Sequence, residues 1–374
     1  MDSHSFKTTQ KFYSPAYYNK IGYKHIDSQA DLRLFCAPKT SENKELRGVV
    51  YKKDKLVFAS LPYNKQTNDI PTEFESTGKF FSLTEGTVVN MFYINNQWFI
   101  AGNKNFNIFN LKWASKTTTF GDTAFEAILH LWKEIKRPTE TKLHYIQRFA
   151  LRHLNPKYGY IFLLSCTVEE KLVCHSPKIP YIKLLALYHK GIHTFEHFIK
   201  VDNGLIIRTA KALKFNTTVQ LECYLEGCDP YEIPGVLYID PKKGHLKIYT
   251  AGYSTLLAIR GNNPNVKETY ISFFLSRDEF AQDCLINIHP YLKSLNQTII
   301  AHLERIALCY IDLVESADWK PQYWMSSMLL NFVKDLNLKT SKPLTDVVNF
   351  LLMLQPDNFI WLTKTHMHLA SKVL

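Results

Sequence analysis

What this sequence lacks narrows its reading first. No apolar run reaches the roughly 18 residues that a membrane-spanning helix requires, and the polar opening Met1-Asp2-Ser3-His4-Ser5 is unlike a signal peptide. Cysteine is sparse and irregular: seven residues, an odd number without repeated spacing, fit reduced thiols rather than a disulfide framework. Cys223 and Cys228 have no second pair at zinc-site spacing and read as buried thiols. His189, His193 and His197 lie four apart and would share a face on a helix, but Gly191 interrupts them and no acidic or cysteine partner follows, so no metal site is expected there. There is no Gly-x4-Gly-Lys-Ser/Thr loop and no Gly-x-Ser-x-Gly turn. These absences leave a globular chain expected in a reducing, cytoplasmic compartment, without a membrane partner.

What is present is a large core and an uneven charge. With 374 residues, 46% of them hydrophobic, the chain can bury enough surface for two or three domains. Residues 279–374 hold eight Lys/Arg against nine Asp/Glu, whereas residues 1–278 hold 37 against 25. Such an excess favours phosphate backbones through counterion release, whatever the sequence bound. Acidic proteins suit it equally well.

The two regions also differ in periodicity. Residues 47–60 and 80–101 are rich in β-branched and aromatic residues, interrupted at Lys53-Asp54-Lys55 and Asn95-Asn96-Gln97, which read as hairpin turns. Val236 to Tyr249 reads as another hairpin around Asp240-Pro241-Lys242-Lys243-Gly244, and Thr123 to Glu134 as a helix. Tyr181 to Ile199 reads as a second helical pattern, broken near Gly191. From Pro290, Leu292, Leu295, Ile299, Leu303, Ile306, Tyr310 and Leu313 recur every three or four residues, the stripe of a long amphipathic helix. Trp324–Leu336, Thr345–Leu354 and Asp357–Lys372 read as three more helices, with breaks at Pro321, Pro343 and Pro356.

One segment bears on chemistry. Leu83-Thr84-Glu85-Gly86, leading into Thr87-Val88-Val89-Asn90, resembles the Lys-x-Asp/Glu-Gly nucleophile motif of RNA ligases and mRNA capping enzymes, with leucine at the lysine's position. The resemblance covers roughly residues 45 to 275. Leu46-Arg47-Gly48-Val49 is similar to the Arg-Gly strand before the nucleophile in bacteriophage-type RNA ligases, and Ala59-Ser60-Leu61-Pro62-Tyr63-Asn64 to the segment after it. Trp98 to Phe109 with Lys112-Trp113 resembles a variant found in large DNA viruses. Tyr158 to Leu164, Pro234-Gly235-Val236-Leu237 and Leu246-Lys247-Ile248-Tyr249 resemble the later strands.

The departures matter as much as the matches. Phe162-Leu163-Leu164 stands where the active enzymes place an acid, Pro234 where they place a glutamate, Tyr249 where they place a second lysine, and Asn90 where they place an arginine. Those charged groups hold the metal, grip phosphates or neutralise the leaving group. Leucine has no lone pair with which to attack a phosphorus.

The resemblance therefore implies an α+β fold: an antiparallel-sheet nucleotidyltransferase domain over 1–278, degenerate at its active centre, followed by an all-helical C-terminal domain over 279–374. It implies no catalytic residue, with Leu83 at the nucleophile position, and nucleotide- or RNA-binding candidates Glu85, Gly86, Lys104, Lys247 and Arg260. Lys79, four residues before Leu83, is a weaker candidate, since it lies about 13 Å along an extended strand. RNA is the expected partner, with proteins of a transcription or capping assembly. No cofactor is expected, Mg²⁺ only if the protein is active. Two alternatives stay open: an active polynucleotide ligase or guanylyltransferase using a displaced lysine, and a structural scaffold that binds proteins.

Overall fold

The computed structural model describes residues 6–75, 77–112, 117–137, 139–165, 173–175, 177–195, 198–202, 204–210, 212–241, 244–261, 263, 265–315, 343–354 and 358. The chain divides into two compact units, Met1–Leu257 and Ala258–Leu374. The boundary read from charge and periodicity, 278/279, falls inside the second.

In chain order, the first unit begins with β1 (Lys7–Thr9), α1 (Pro15–Lys20), β2 (Asp27–Gln29), β3 (Leu32–Phe35), β4 (Val49–Lys52) and β5 (Lys55–Ala59). There follow β6 (Lys65–Thr67), β7 (Lys79–Ser82), β8 (Thr87–Ile94), β9 (Gln97–Ala101), α2 (Phe120–Trp132) and α3 (Lys142–His153). Next come β10 (Gly159–Ser165), β11 (Tyr181–His189), β12 (Ile192–Thr194), β13 (Phe198–Lys200), β14 (Ile206–Arg208) and β15 (Ala212–Leu213). The last elements to start in this unit are α4 (Thr218–Glu226), β16 (Gly235–Asp240), β17 (Gly244–Tyr249) and α5 (Ala251–Arg260).

Three sheets matter for the site: a six-stranded one ordered β1-β12-β11-β10-β8-β9, a five-stranded one ordered β15-β7-β16-β17-β6, and a four-stranded one, β2 to β5. All their ladders are antiparallel except β17 with β6. This is the α+β, antiparallel-sheet architecture expected from the sequence.

Alternation of side chains divides each strand between two cores. Val89, Met91, Phe162, Leu164, Ile182 and Leu184 of the six-stranded sheet pack against Ala124, Phe125, Ile128, Trp132, Tyr145, Ile146 and Phe149 of α2 and α3. Its other face, with Phe92, Ile161 and Tyr188, packs against Leu34, Val50 and Phe58 of the four-stranded sheet and Phe81 and Ile239 of the five-stranded one. Each such side chain taken out of water stabilises the fold by about 1.5–3 kcal/mol before entropy is charged against it. A capping box between Thr119 and Asp122 starts α2, and Lys133 ends it in the left-handed conformation at φ 58°.

Two sequence expectations are corrected. Cys223, read as a buried thiol, is exposed because α4 turns Leu221 and Leu225 to the core instead, and Cys228 is only partly buried. Tyr181–Ile199 is no helix: it forms β11 and β12, a hairpin whose register pairs Tyr188 with His193, and runs on into β13. The turn, Lys190-Gly191, has φ of 49° and 82°, the two positive values that a two-residue type I′ hairpin requires. The apolar run 184–188 fits either period locally, and its ladder with β10 decided the outcome. His189 pairs with Ile192 and the fully buried His193 with Tyr188, so the two imidazoles leave opposite faces of the hairpin and cannot share a metal; His197 lies outside the described residues.

The second unit's described part is helical: α6 (Val266–Ser276), α7 (Glu279–Ile288), a 3-10 turn Pro290–Ser294, α8 (Leu295–Glu315) and α9 (Pro343–Leu352). Of the expected stripe, Leu292, Ile299, Leu303 and Ile306 are buried and Leu295 partly so. Of the three later helices, α9 answers to Thr345–Leu354; the other two lie outside the described residues. Among the described residues no helix is long and apolar enough to cross a membrane.

Candidate functional site

Leu83 to Gly86 carries the chain from β7 in one sheet to β8 in another. At its start the Leu83 N–H donates to Gly235 O at 3.1 Å, and Gly235 stands in register with Tyr249. A Cβ on Gly235, at φ 149°, would lie 2.1 Å from Ile248 O, so only glycine permits this approach of β16 to β17. At the other end, a Cβ on Gly86 would lie 2.6 Å from Leu164 O and 2.9 Å from the Leu163 side chain. The crossing segment thus brings Leu83 beside the start of the Gly235–Tyr249 pair and Gly86 beside Leu163. The glycine of the motif is needed by packing alone.

Glu85 has a structural occupation too. Its Oε2 accepts from the backbone N–H groups of Val173 and Cys174 at 2.8 and 2.7 Å, and its Oε1 accepts from the Tyr253 hydroxyl at 2.5 Å. Burial raises its carboxyl above the usual carboxylate range, while these hydrogen bonds pull the other way. The carboxylate also pushes the Cys174 thiol and the Tyr253 hydroxyl up, adding to their burial.

One cation, Lys247, lies within electrostatic reach of this acid, and others lie near Lys247 or the crossing segment. Lys247 shares a face of β17 with His245 and Tyr249. It is hemmed in by protein yet keeps partial solvent contact, and burial, then Arg47 and Lys39, hold its amine down at about 8 against the opposing pull of Glu85. Arg47 stacks 5.0 Å from the Tyr63 ring centroid and donates to Pro62 O at 3.4 Å. With the Asn103 amide oxygen turned to it, Arg47 also donates from Nε and Nη2 at 3.0 and 3.2 Å, while the Asn103 nitrogen donates to Ser60 Oγ at 3.0 Å. Asn90, at the expected arginine's place, adjoins Asn103 at 3.1 Å. On β11, opposite Leu163, Lys183 donates to Thr84 Oγ1 at 3.1 Å, and burial lowers its pKa.

Among the described residues, none of Arg47, Lys183 and Lys247 forms a salt bridge. Part-buried cations without a paired carboxylate are costly in the free protein and are relieved by an incoming anion. The arrangement can therefore hold a phosphate. It suits a divalent cation poorly: both oxygens of Glu85 are engaged, Leu163 offers no ligand, and no cluster of three His, Cys, Asp or Glu exists among the described residues.

The other sequence candidates lie elsewhere. Lys104 is exposed in the turn closed by Gly102 N–H to Asn105 O at 2.9 Å, one residue from Asn103. Lys79 lies 5.4 Å from the Phe6 ring centroid. Arg260 belongs to the second unit, 1% exposed, and donates from Nη1 to Asn263 O at 2.8 Å. Sequence reading missed Lys183 and Tyr253 and used Arg47 only as a strand marker. For Lys183 a signal existed, a single lysine inside the apolar run Ile182 to Leu187. For Tyr253 there was none.

No protein-family model matches the chain. It is 24% identical over 337 residues to the immediate-early protein ICP-46 of frog virus 3 (isolate Goorha), covering 86% of this chain and 82% of that one. It is 23% identical over 303 residues to the ICP-46 homolog of invertebrate iridescent virus 6, covering 72% of this chain and 64%, under two thirds, of that protein. Among solved structures it is similar to a putative ATP-dependent DNA ligase from Aquifex aeolicus, with 11% identity, 87% of each chain covered and a TM-score of 0.40. It is also similar to an archaeal ATP-dependent RNA ligase, with 9% identity, 74% of this chain and 69% of that one covered, and a TM-score of 0.41.

Proposed function

We propose that this chain is a viral RNA-binding protein of ligase-like ancestry that has lost lysyl-nucleotide chemistry and works as a subunit of a transcription or RNA-processing assembly. The observation that carries the reading is the crossing segment itself. Its nucleophile position is Leu83, its Glu85 and Gly86 serve packing, and among the described residues the cations nearby have no salt-bridged carboxylate. Such an arrangement grips phosphate without forming a covalent bond to it. The viral relatives, both named as immediate-early ICP-46 proteins, support a role early in infection.

Incubation with radiolabelled ATP or GTP and Mg²⁺ or Mn²⁺ is expected to leave no acid-labile, base-stable label, and Leu83→Lys alone is expected not to restore one. RNA affinity is expected to fall steeply with salt and to weaken further on joint replacement of Lys104 and Lys247 by Glu. The same exchange at Lys364 and Lys372 should change little. RNA binding undetectable at low salt would leave protein partners to account for the charge.

One observation favours a second reading, an active nucleotidyltransferase with a relocated amine. Lys183 reaches the crossing segment from β11, and burial holds its pKa below that of an ordinary lysine, as nucleophilic catalysis requires. A nucleotide adduct mapped to Lys183, and lost in Lys183→Arg, would establish it over the inactive reading.

A further inference from the structure

We propose that Tyr13 and Tyr17 form a stacking platform for an unpaired base of single-stranded nucleic acid, in a segment of the first unit outside the span that resembles RNA ligases. The two rings are stacked at a centroid distance of 4.3 Å and an interplanar angle of 25°, yet remain 38% and 40% exposed. Two large rings stacked on each other in water leave outer faces of the size and shape of a nucleobase.

The pair is held in advance of any ligand. Ser14 Oγ accepts from the Tyr17 N–H at 3.3 Å and Pro15 opens α1, fixing where Tyr17 leaves the backbone. The Tyr13 N–H donates to the Tyr18 hydroxyl at 3.2 Å, and the Tyr51 hydroxyl donates to Tyr13 O. Tyr18 itself is fully buried, packed on Phe35 at 5.8 Å and on Tyr51 at 6.3 Å between ring centroids. A platform tied to the core in this way loses little entropy on binding.

Charge selects the occupant. Residues 3–26 contain Lys7, Lys11, Lys20 and Lys24 and no Asp or Glu. Lys11, Lys20 and Lys24 are exposed, and Lys11 Nζ lies 5.6 Å from the Tyr13 ring centroid. Aromatic faces interleaved with lysines match bases joined by phosphates, the combination by which single strands are held without sequence preference. A duplex hides its base faces and offers only its phosphates.

The test is fluorescence anisotropy of the full chain with labelled single strands of about 12 nucleotides, oligoadenylate and its deoxy counterpart, beside a hairpin duplex, at about 50 mM salt. Tyr13→Leu and Tyr17→Leu keep apolar bulk but lose the π face, and each is expected to weaken single-strand binding about tenfold. Tyr13→Phe and Tyr17→Phe should stay within about twofold of the wild type, since stacking needs the ring and not the hydroxyl. Equal losses on RNA and DNA would assign the site to single strands generally, a loss on RNA alone to RNA. Leucine variants that melt like the wild type and bind single strands equally well would overturn the proposal. So would a wild type that binds no oligonucleotide, which would give the face to a protein partner. Lys247→Glu separates this platform from the cations near the crossing segment: its neutrality beside a loss in the leucine variants sinks the role of those cations alone, and the reverse pattern sinks the platform.

Discussion

Tyr253 and Glu85, 168 residues apart, are joined by a 2.5 Å hydrogen bond from the phenolic hydroxyl to Oε1, while the other carboxylate oxygen takes two backbone N–H groups. The acid thereby ties the segment crossing between two sheets to α5 and to the 173–174 loop. These three hydrogen bonds give an acid at position 85 a structural reason to be there.

Glu85→Ala strips Val173 and Cys174 of their acceptor and leaves Tyr253 unpartnered at that site. It is expected to cost about 2–3 kcal/mol in chemical denaturation, with Tyr253→Phe costing about 1 kcal/mol. A double-mutant cycle should give non-additivity of comparable size. RNA affinity of the folded Glu85→Ala protein should change little, and a loss of affinity without loss of stability would assign the acid to the ligand instead.

Lys247 carries a pH signature. With its amine held at about 8 in the fold, its charge is present below pH 8 and disappears as pH rises through it, and RNA affinity is expected to follow. The stability effect has the opposite direction, because the folded state carries a charge it disfavours below pH 8 and is relieved between about 8 and 10.5. Lys247→Met is therefore expected to raise stability at pH 7 by about 1–2 kcal/mol, less than the full shift because the amine keeps some solvent, while weakening RNA. Lys247→Arg should keep binding level above pH 8. A wild-type binding profile flat from pH 7 to 9.5 would exclude the group.

His193 and His245 are buried, and burial depresses them to about 4 and about 3. A histidine whose folded pKa lies below its unfolded value stabilises the fold fully above about pH 6.5, and that contribution is lost as pH falls toward the folded value. Each is expected to cost about 2 kcal/mol of stability at pH 5. His193→Gln should flatten the acid limb of the stability curve, measured by urea unfolding between pH 7 and 4.5; an unchanged limb would show that the imidazole is not buried neutral.

Gly191 distinguishes a hairpin from a helix by sign. In a helix, Gly191→Ala would stabilise by about 1 kcal/mol. At φ 82° in the Lys190-Gly191 turn the methyl meets no atom within 4 Å, so only backbone strain acts, and a loss of about 1 kcal/mol is expected. Lys190→Asn, which favours the same turn, should stabilise. Thermal melts of the two variants give the answer.

The sequence by itself determined the parts of this protein whose signals are local. Turn chemistry at Lys53-Asp54 and Asn95-Asn96 and alternation on either side placed β4, β5, β8 and β9; a period near 3.6 placed α2 and α8. Leucine at position 83 could be read directly, since that a side chain carries no amine needs no coordinates. Tertiary structure decided the rest. Residues 181–199 suit either period locally, and pairing with β10 chose the strand. Glu85 read as a ligand-binding candidate because nothing nearby in sequence reveals that Tyr253 and the 173–174 backbone take both of its oxygens. Lys183 and Arg47 became site residues only because strands far apart in the chain bring them to the crossing segment or to Lys247. Local propensity is written residue by residue, whereas burial and the company a charge keeps depend on which strands pair, and that is fixed by the whole fold at once.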